Sequence, residues 1–177
     1  KDVERGIAAI AVEDGEIYDA ESGGAAYMTT NYTIIGYMND ITYIPCSFGG
    51  TFDGRGHTVS GLYNNSSDID GFNSTLFACV DGGTVRNVGI SESYLQGGIS
   101  VSALVGECYS GTVENCWTDA SVSVVGFCSC IGGIVGYCDS STIRYCYNRG
   151  SVMGSASDSD SAYFIGGIIG YIGGEQS

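Results

Sequence analysis

The sequence predicts an all-β protein, a right-handed parallel β-helix (β-solenoid) with three strands in each coil and about four to six coils. Three observations predict this fold. Short apolar segments alternate with glycine or polar turns, a unit of about 28–30 residues recurs, and the 177 residues include 29 glycines but only 1 proline. The segments suit strands better than helices. An up-and-down barrel or sandwich is the main alternative, but it does not require whole three-segment units to repeat.

Three apolar segments define the unit. The first starts at a threonine, and these threonines are 26, 28 and 30 residues apart. The recurring positions are Thr58, Thr84, Thr112 and Thr142 for the first segment; Leu76, Leu104, Ile134 and Ile168 for the second; Tyr94, Val122 and Val152 for the third. Because each coil buries its inward residues against the next, no coil is expected to be stable alone.

Equivalent positions should stack at the spacing of paired strands, about 4.8 Å. Asn87 and Asn115 are 28 residues apart and are expected to form an amide ladder at a bend. Tyr145 replaces asparagine at the next equivalent position and should break the ladder.

Two pairs of the 8 cysteines are also expected to stack, Cys108 with Cys138 and Cys116 with Cys146. A disulfide tolerates the Cα separation of stacked residues. A free cysteine also packs well as a small apolar residue. Free thiols are the preferred interpretation, and a disulfide is the alternative.

One long stretch carries a family resemblance. Residues 48–62 read FGGTFDGRGHTVSGL and resemble the segment that opens the repeats of bacterial surface proteins with GLUG motifs. Gly132–Tyr137 and Gly167–Tyr171 resemble the GLUG unit itself, and Gly111–Trp117 is similar to the segment between units. Isoleucine replaces the central leucine of both units.

The resemblance covers roughly residues 32–172. It implies a secreted or cell-surface β-helical module of large, adhesin-like bacterial proteins, with no conserved catalytic apparatus. We therefore expect residues 32–177 to form GLUG-type solenoid repeats.

Residues 1–31 lie outside the resemblance and are expected to be an N-terminal cap or a first coil of the same domain. Val3, Ile7 and Ile10 have helical spacing and favour a short capping helix. The alternative is another strand coil, since Ile17–Tyr18 is also compatible with a strand. The sequence stops inside a repeat at Gly173–Glu175. This predicts either a piece of a longer protein or end-to-end association with another subunit through an uncapped edge.

Charge and composition exclude several functions. A net charge of −14 disfavours nucleic acid as a partner. No apolar run is long enough for membrane insertion. The Asp53–His57 segment reads as a tight turn rather than an acid–base set. The cysteines lack the paired spacing of zinc sites. No catalytic residue, metal or cofactor is therefore predicted.

The length variation between units falls at one corner of the predicted coil. Insertions on one face of a solenoid often mark a binding face. The candidate binding residues at this corner are Gln96, Phe127, Cys128, Cys130, Asp158 and Asp160. Their partner would be a glycan or a host or cell-surface protein.

The sequence thus predicts a non-enzymatic, extracellular structural or adhesion module of a bacterial surface protein. One alternative is a polysaccharide lyase or glycosidase on a β-helix, which would need clustered carboxylates on one strand face. Another alternative is an ice- or surface-binding solenoid, which would use the aligned threonines.

Overall fold

The computed structural model describes residues 17–18, 25–26, 32, 34–35, 38–39, 44–45, 47–65, 74–97, 100–125, 129–155 and 163–174. All regular elements in these ranges are β-strands, and parallel strands stack into a β-solenoid of about three turns. The predicted fold class is confirmed, although the coils number fewer than the four to six expected. The prediction of three strands in each coil is wrong: each complete coil contributes to four parallel sheets, because the segments Ser100–Val101, Ser129–Gly132 and Tyr163–Gly166 form a sheet of their own. The predicted N-terminal helix lies outside the described residues.

Four parallel sheets form the walls of the solenoid, and the chain passes through them in a fixed order. Sheet 1 contains β10 (Ser100–Val101), β15 (Ser129–Gly132) and β20 (Tyr163–Gly166). Sheet 2 contains β7 (Phe77–Asp81), β11 (Val105–Tyr109), β16 (Val135–Asp139) and β21 (Ile169–Ile172).

Sheet 3 is bent and has six strands: β5 (Thr51–Ser60), β8 (Thr84–Ser91), β12 (Thr112–Glu114), β13 (Trp117–Thr118), β17 (Thr142–Arg144) and β18 (Tyr147–Asn148). Sheet 4 contains β6 (Tyr63–Asn65), β9 (Tyr94–Gly97), β14 (Ser121–Val125) and β19 (Val152–Ser155). Two short antiparallel pairs precede the coils: β1 (Ile17–Tyr18) with β2 (Ala25–Ala26), and β3 (Met38–Asn39) with β4 (Ile44–Pro45).

The core consists of apolar columns that run along the solenoid axis. Val105 pairs with Phe77 on one side and Val135 on the other, and all three are fully buried. Leu104 and Ile134, two of the predicted core positions, are also fully buried. Each apolar segment therefore recurs because it supplies a buried residue to the same inward column.

The structure corrects the predicted register at two positions. Thr58 lies opposite Gly89, and Thr51 occupies the threonine column next to Thr84. The cause is an irregularity between Asp53 and His57, which adds residues to β5. Tyr94 lies opposite Ser121 instead of Val122.

The slip at Tyr94 has a local cause. Glu92 adopts a left-handed backbone with φ of 47° and adds one residue to its coil. The side chain of Asp119 in the next coil accepts a hydrogen bond from the Glu92 N–H at 3.2 Å. The extra residue is thus stabilised by the coil that stacks on it.

The predicted amide ladder is confirmed. Asn115 donates its side-chain N–H to the Asn87 carbonyl oxygen at 2.6 Å, and Asn87 donates to Asp53 at 2.9 Å. Both asparagines are left-handed, with φ of 54° for Asn87 and 53° for Asn115. Asparagine tolerates this conformation better than most residues. The ladder also gives the asparagine side-chain amides hydrogen-bond partners at the bend of sheet 3.

A second ladder of alternating charge runs beside the amide ladder. Arg86 donates to Asp53 at 3.1 Å, and Arg144 donates to Glu114 through two N–H groups at 2.8 and 2.6 Å. Asp53 also accepts the backbone N–H of Arg55 at 2.9 Å, but this bond lies in the irregular part of β5 and not in the separate tight turn that the sequence predicts. Hydrogen bonds from Asn87, the Arg55 backbone and Arg86 hold the pKa of Asp53 below its ordinary value.

We predict that Asn115→Ala lowers the free energy of unfolding by about 1–2 kcal/mol, since it removes a ladder hydrogen bond and strains a left-handed position. Asn115→Gly should cost less, because glycine removes the amide but accepts the backbone conformation. Urea unfolding of both variants measures the difference. Equal stability of the two variants would contradict the role of the left-handed backbone.

Candidate binding surface

An aromatic pair lies on the outer face of sheet 3. Gly89, Trp117 and Tyr147 occupy equivalent positions in three successive coils. A Cβ atom on Gly89 would overlap the Trp117 indole ring. The indole therefore lies across the glycine of the preceding coil. The side chain of any other residue at position 89 would occupy that space.

Trp117 and Tyr147 are nearly parallel. Their ring centroids are 6.1 Å apart, and their planes differ by 8°. The Arg149 guanidinium lies 5.5 Å from the Trp117 centroid and 5.8 Å from the Tyr147 centroid, within the range of cation–π attraction. We call this surface the aromatic platform and define it as Trp117, Tyr147 and Arg149.

Two members of the platform are exposed to solvent, and Trp117 is half-buried. Tyr147 is 49% exposed and the Arg149 side chain is 64% exposed. Two neighbouring aromatic rings and an exposed guanidinium form the kind of surface on which a ligand ring can stack while its polar groups are hydrogen-bonded.

Tyr145 adds a third aromatic ring at the adjacent corner. It is 79% exposed, and it has a φ of 55° where the earlier coils carry asparagine. The Arg144 guanidinium lies 5.7 Å from its ring centroid. A bulky residue in the left-handed region is uncommon, and such outliers concentrate at functional sites.

Sequence reasoning did not identify this platform. Trp117 entered only as part of the stretch that resembles the segment between GLUG units. A signal was present, because Trp117 and Tyr147 are separated by the same 30 residues as Thr112 and Thr142. The position of Arg149 relative to the two rings depends on the fold and could not be read from that spacing.

A second aromatic cluster lies on sheet 2. Tyr137 is in register with Tyr171 and stacks on it with a centroid distance of 5.6 Å. The ring of Tyr109, which is in register with Asp139, lies tilted against Tyr137 at 5.5 Å. Tyr109 donates its hydroxyl hydrogen to Glu107 at 3.1 Å. Burial and the nearby Glu107 carboxylate raise the pKa of Tyr109. Tyr171 also contacts Phe164, with ring centroids 4.5 Å apart, so we assign this cluster to packing within and between coils.

The predicted corner residues are only partly described. Gln96 lies in β9, where it accepts the Tyr94 hydroxyl hydrogen at 2.7 Å. Cys130 lies in β15, in register with Ser100 and Phe164. Both belong to strands, because the parallel ladders extend into this corner. Phe127, Cys128, Asp158 and Asp160 lie outside the described residues. Binding at this corner stays a prediction.

The predicted cysteine pairs occupy stacked positions. Cys108 lies in register with Cys138. Cys116 and Cys146 directly precede Trp117 and Tyr147, which are themselves in register. Cys108, Cys116, Cys138 and Cys146 form no disulfide. A hydrogen bond from the buried Cys116 thiol lowers the pKa of the partly exposed Cys146 to about 7, while the same bond and burial raise the pKa of Cys116.

The described part of the chain contains no group of three or more His, Cys, Asp or Glu side chains placed to hold a metal ion. No helix in this part is long and apolar enough to cross a membrane.

Comparisons with known proteins give one distant likeness. No protein-family model and no curated protein sequence matches the chain. The chain resembles a crystal structure from Bacteroides ovatus described as a "putative immunoglobulin A1 protease", with 16% identity and a TM-score of 0.45. The match covers 83% of this chain and 52% of that one, so the chain spans about half the length of the protein it resembles.

This likeness corrects one expectation. The sequence predicts a protein that is not an enzyme, whereas the matching structure is named as a protease. The expectation is therefore contradicted and is withdrawn. At this identity and TM-score, the likeness assigns no activity to this chain.

We predict that Gly89→Ala displaces the Trp117 ring without unfolding the protein, because the new methyl group would occupy the position of the indole. The chain contains a single tryptophan, so its fluorescence reports this site alone. Iodide should quench the variant more strongly than the parent. Gly167→Ala is the matched control, since a Cβ there meets nothing within 4 Å. Unchanged quenching in Gly89→Ala would contradict the ring position.

We also predict that iodoacetamide alkylates Cys146 with a pH midpoint near 7. Cys116→Ala should raise that midpoint toward the ordinary cysteine value of about 8.5, because the stabilising S–H donor is gone. Peptide mass spectrometry measures alkylation at each cysteine. Cys108→Ala removes a thiol from the other pair and should leave the Cys146 midpoint unchanged. An identical midpoint in Cys116→Ala would show that this hydrogen bond does not set the pKa.

Proposed function

We propose that the chain is an extracellular adhesion module of a bacterial surface protein and that it binds glycan through the aromatic platform. The observation that carries the proposal is the parallel Trp117–Tyr147 pair with the Arg149 guanidinium near both rings. The resemblance to GLUG-repeat proteins supports the location and the adhesive role.

A glycan suits this surface for chemical reasons. One face of a sugar ring presents C–H groups that pack on aromatic rings, while its rim presents hydroxyl groups that need hydrogen-bond partners. The platform offers both kinds of contact, since the two rings present aromatic surface and Arg149 supplies hydrogen-bond donors. Trp117 and Tyr147 lie in strands of sheet 3 and Arg149 directly follows one of them, so a rigid scaffold positions these groups.

The ice-binding alternative has less support. Thr51, Thr84 and Thr112 do form an outward column. The next outward column carries Asp53, Arg86, Glu114 and Arg144 instead of a second rank of hydroxyl and methyl groups. Ion-paired side chains break up the flat, regular surface that binding to ice requires.

The proposal is tested by applying the chain to a glycan array and titrating the bound glycans in solution. Trp117→Ala should weaken binding at least about tenfold, equivalent to about 1.4 kcal/mol. Tyr63→Ala is the matched control, because Tyr63 is an exposed, stacked tyrosine on sheet 4. Absence of binding to any glycan would refute the proposal, and so would binding that Trp117→Ala leaves intact.

A further inference from the structure

We infer that the glycan bound by the platform is carboxylated, with its carboxylate held by Arg149 and its sugar ring packed on Trp117 and Tyr147. This inference rests on the proposed function and adds the ligand's chemical class. It also assigns Arg149 as the residue that determines specificity.

The Arg149 guanidinium is less engaged in hydrogen bonds than that of Arg144. Three arginines on this face pair with acidic residues, but the pairs differ. Arg144 makes two hydrogen bonds to Glu114, at 2.8 and 2.6 Å. Arg149 lies 3.8 Å from the Asp119 carboxylate, which is too far for a hydrogen bond. Arg149 therefore offers N–H groups to a ligand, whereas those of Arg144 already hold a carboxylate.

The positive charges of the described residues are concentrated on sheet 3. The arginines in the described residues lie in or directly after strands of sheet 3, and they are Arg55, Arg86, Arg144 and Arg149. Strands of the other three parallel sheets contain no Lys, Arg or His. On a chain with a net charge of −14, an anionic ligand is repelled from most of the surface. The sheet 3 face is where such a ligand meets exposed cations.

The guanidinium and the two rings of the platform lie close together. Arg149 lies 5.5 and 5.8 Å from the two ring centroids, so one sugar residue can contact all three side chains. A uronic acid carries its carboxylate on the rim of the pyranose ring. Its ring would lie on the aromatic pair while its carboxylate meets the planar guanidinium, which binds two oxygens at once.

Asp119 competes with the ligand for Arg149. Its carboxylate is held in place because it accepts the Glu92 N–H at 3.2 Å. Asp119→Asn keeps an oxygen for that bond but removes the charge that attracts Arg149. This substitution should strengthen binding of a carboxylated glycan, an effect that a purely structural role for Asp119 would not produce.

The test uses an oligogalacturonate and its fully methyl-esterified form, which differ in charge but share the sugar ring. Isothermal titration calorimetry should show at least tenfold tighter binding of the acid form, weakening as salt is added. Arg149→Gln should remove that preference, and Asp119→Asn should tighten acid binding several-fold. Arg86→Gln is the matched control, since Arg86 is ion-paired on the same sheet, and it should leave the preference for the acid form in place.

The outcomes separate this inference from the proposed function. Equal binding of acid and ester, with both lost in Trp117→Ala, would overturn the carboxylate inference and leave glycan binding intact. Preferential binding of a sulfated dextran over the oligogalacturonate would also overturn it. No binding of either probe, together with no binding on the array, would refute the proposed function itself. Circular dichroism of each variant confirms that the fold is retained.

Discussion

The register between successive coils is the constraint on which the rest of the structure depends. Parallel pairing places each side chain directly beside its equivalent in the next coil, about 4.8 Å away. Val105 therefore lies on Phe77 and under Val135, and Asn115 bonds to Asn87. A residue that suits a column is stabilised by its neighbours along the axis, and an inserted residue must be accommodated without shifting the columns on either side.

The columns differ in chemistry because each one meets a different environment. Most inward columns are apolar and buried, and inward hydroxyls such as those of Thr75 and Ser102 are hydrogen-bonded to each other. At the bend of sheet 3 the backbone is left-handed, which favours asparagine, and the side-chain amides hydrogen-bond to each other along the axis. The outward positions include a column of alternating charge, a cluster of tyrosines and the aromatic platform.

The platform combines features that weaken an ordinary column. Gly89 has no side chain to pack against its neighbours, and Trp117 lies across it. Tyr145 occupies a left-handed position that suits asparagine better. Arg149 makes a longer ion pair than Arg86 or Arg144. Stability alone does not account for these three features in one small area, whereas the proposed ligand binding would account for the guanidinium and the rings together.

The sequence by itself determined the solenoid class, the inward columns and the asparagine ladder, because each follows from residues that recur at the coil spacing. It misplaced Thr58 and Tyr94, since extra residues near Gly54 and at Glu92 are accommodated by local backbone geometry that no spacing reveals. Only the tertiary structure showed that Gly89 makes room for Trp117 and that Arg149 reaches both rings. These contacts join different coils, and their geometry depends on how the side chains lean along the axis.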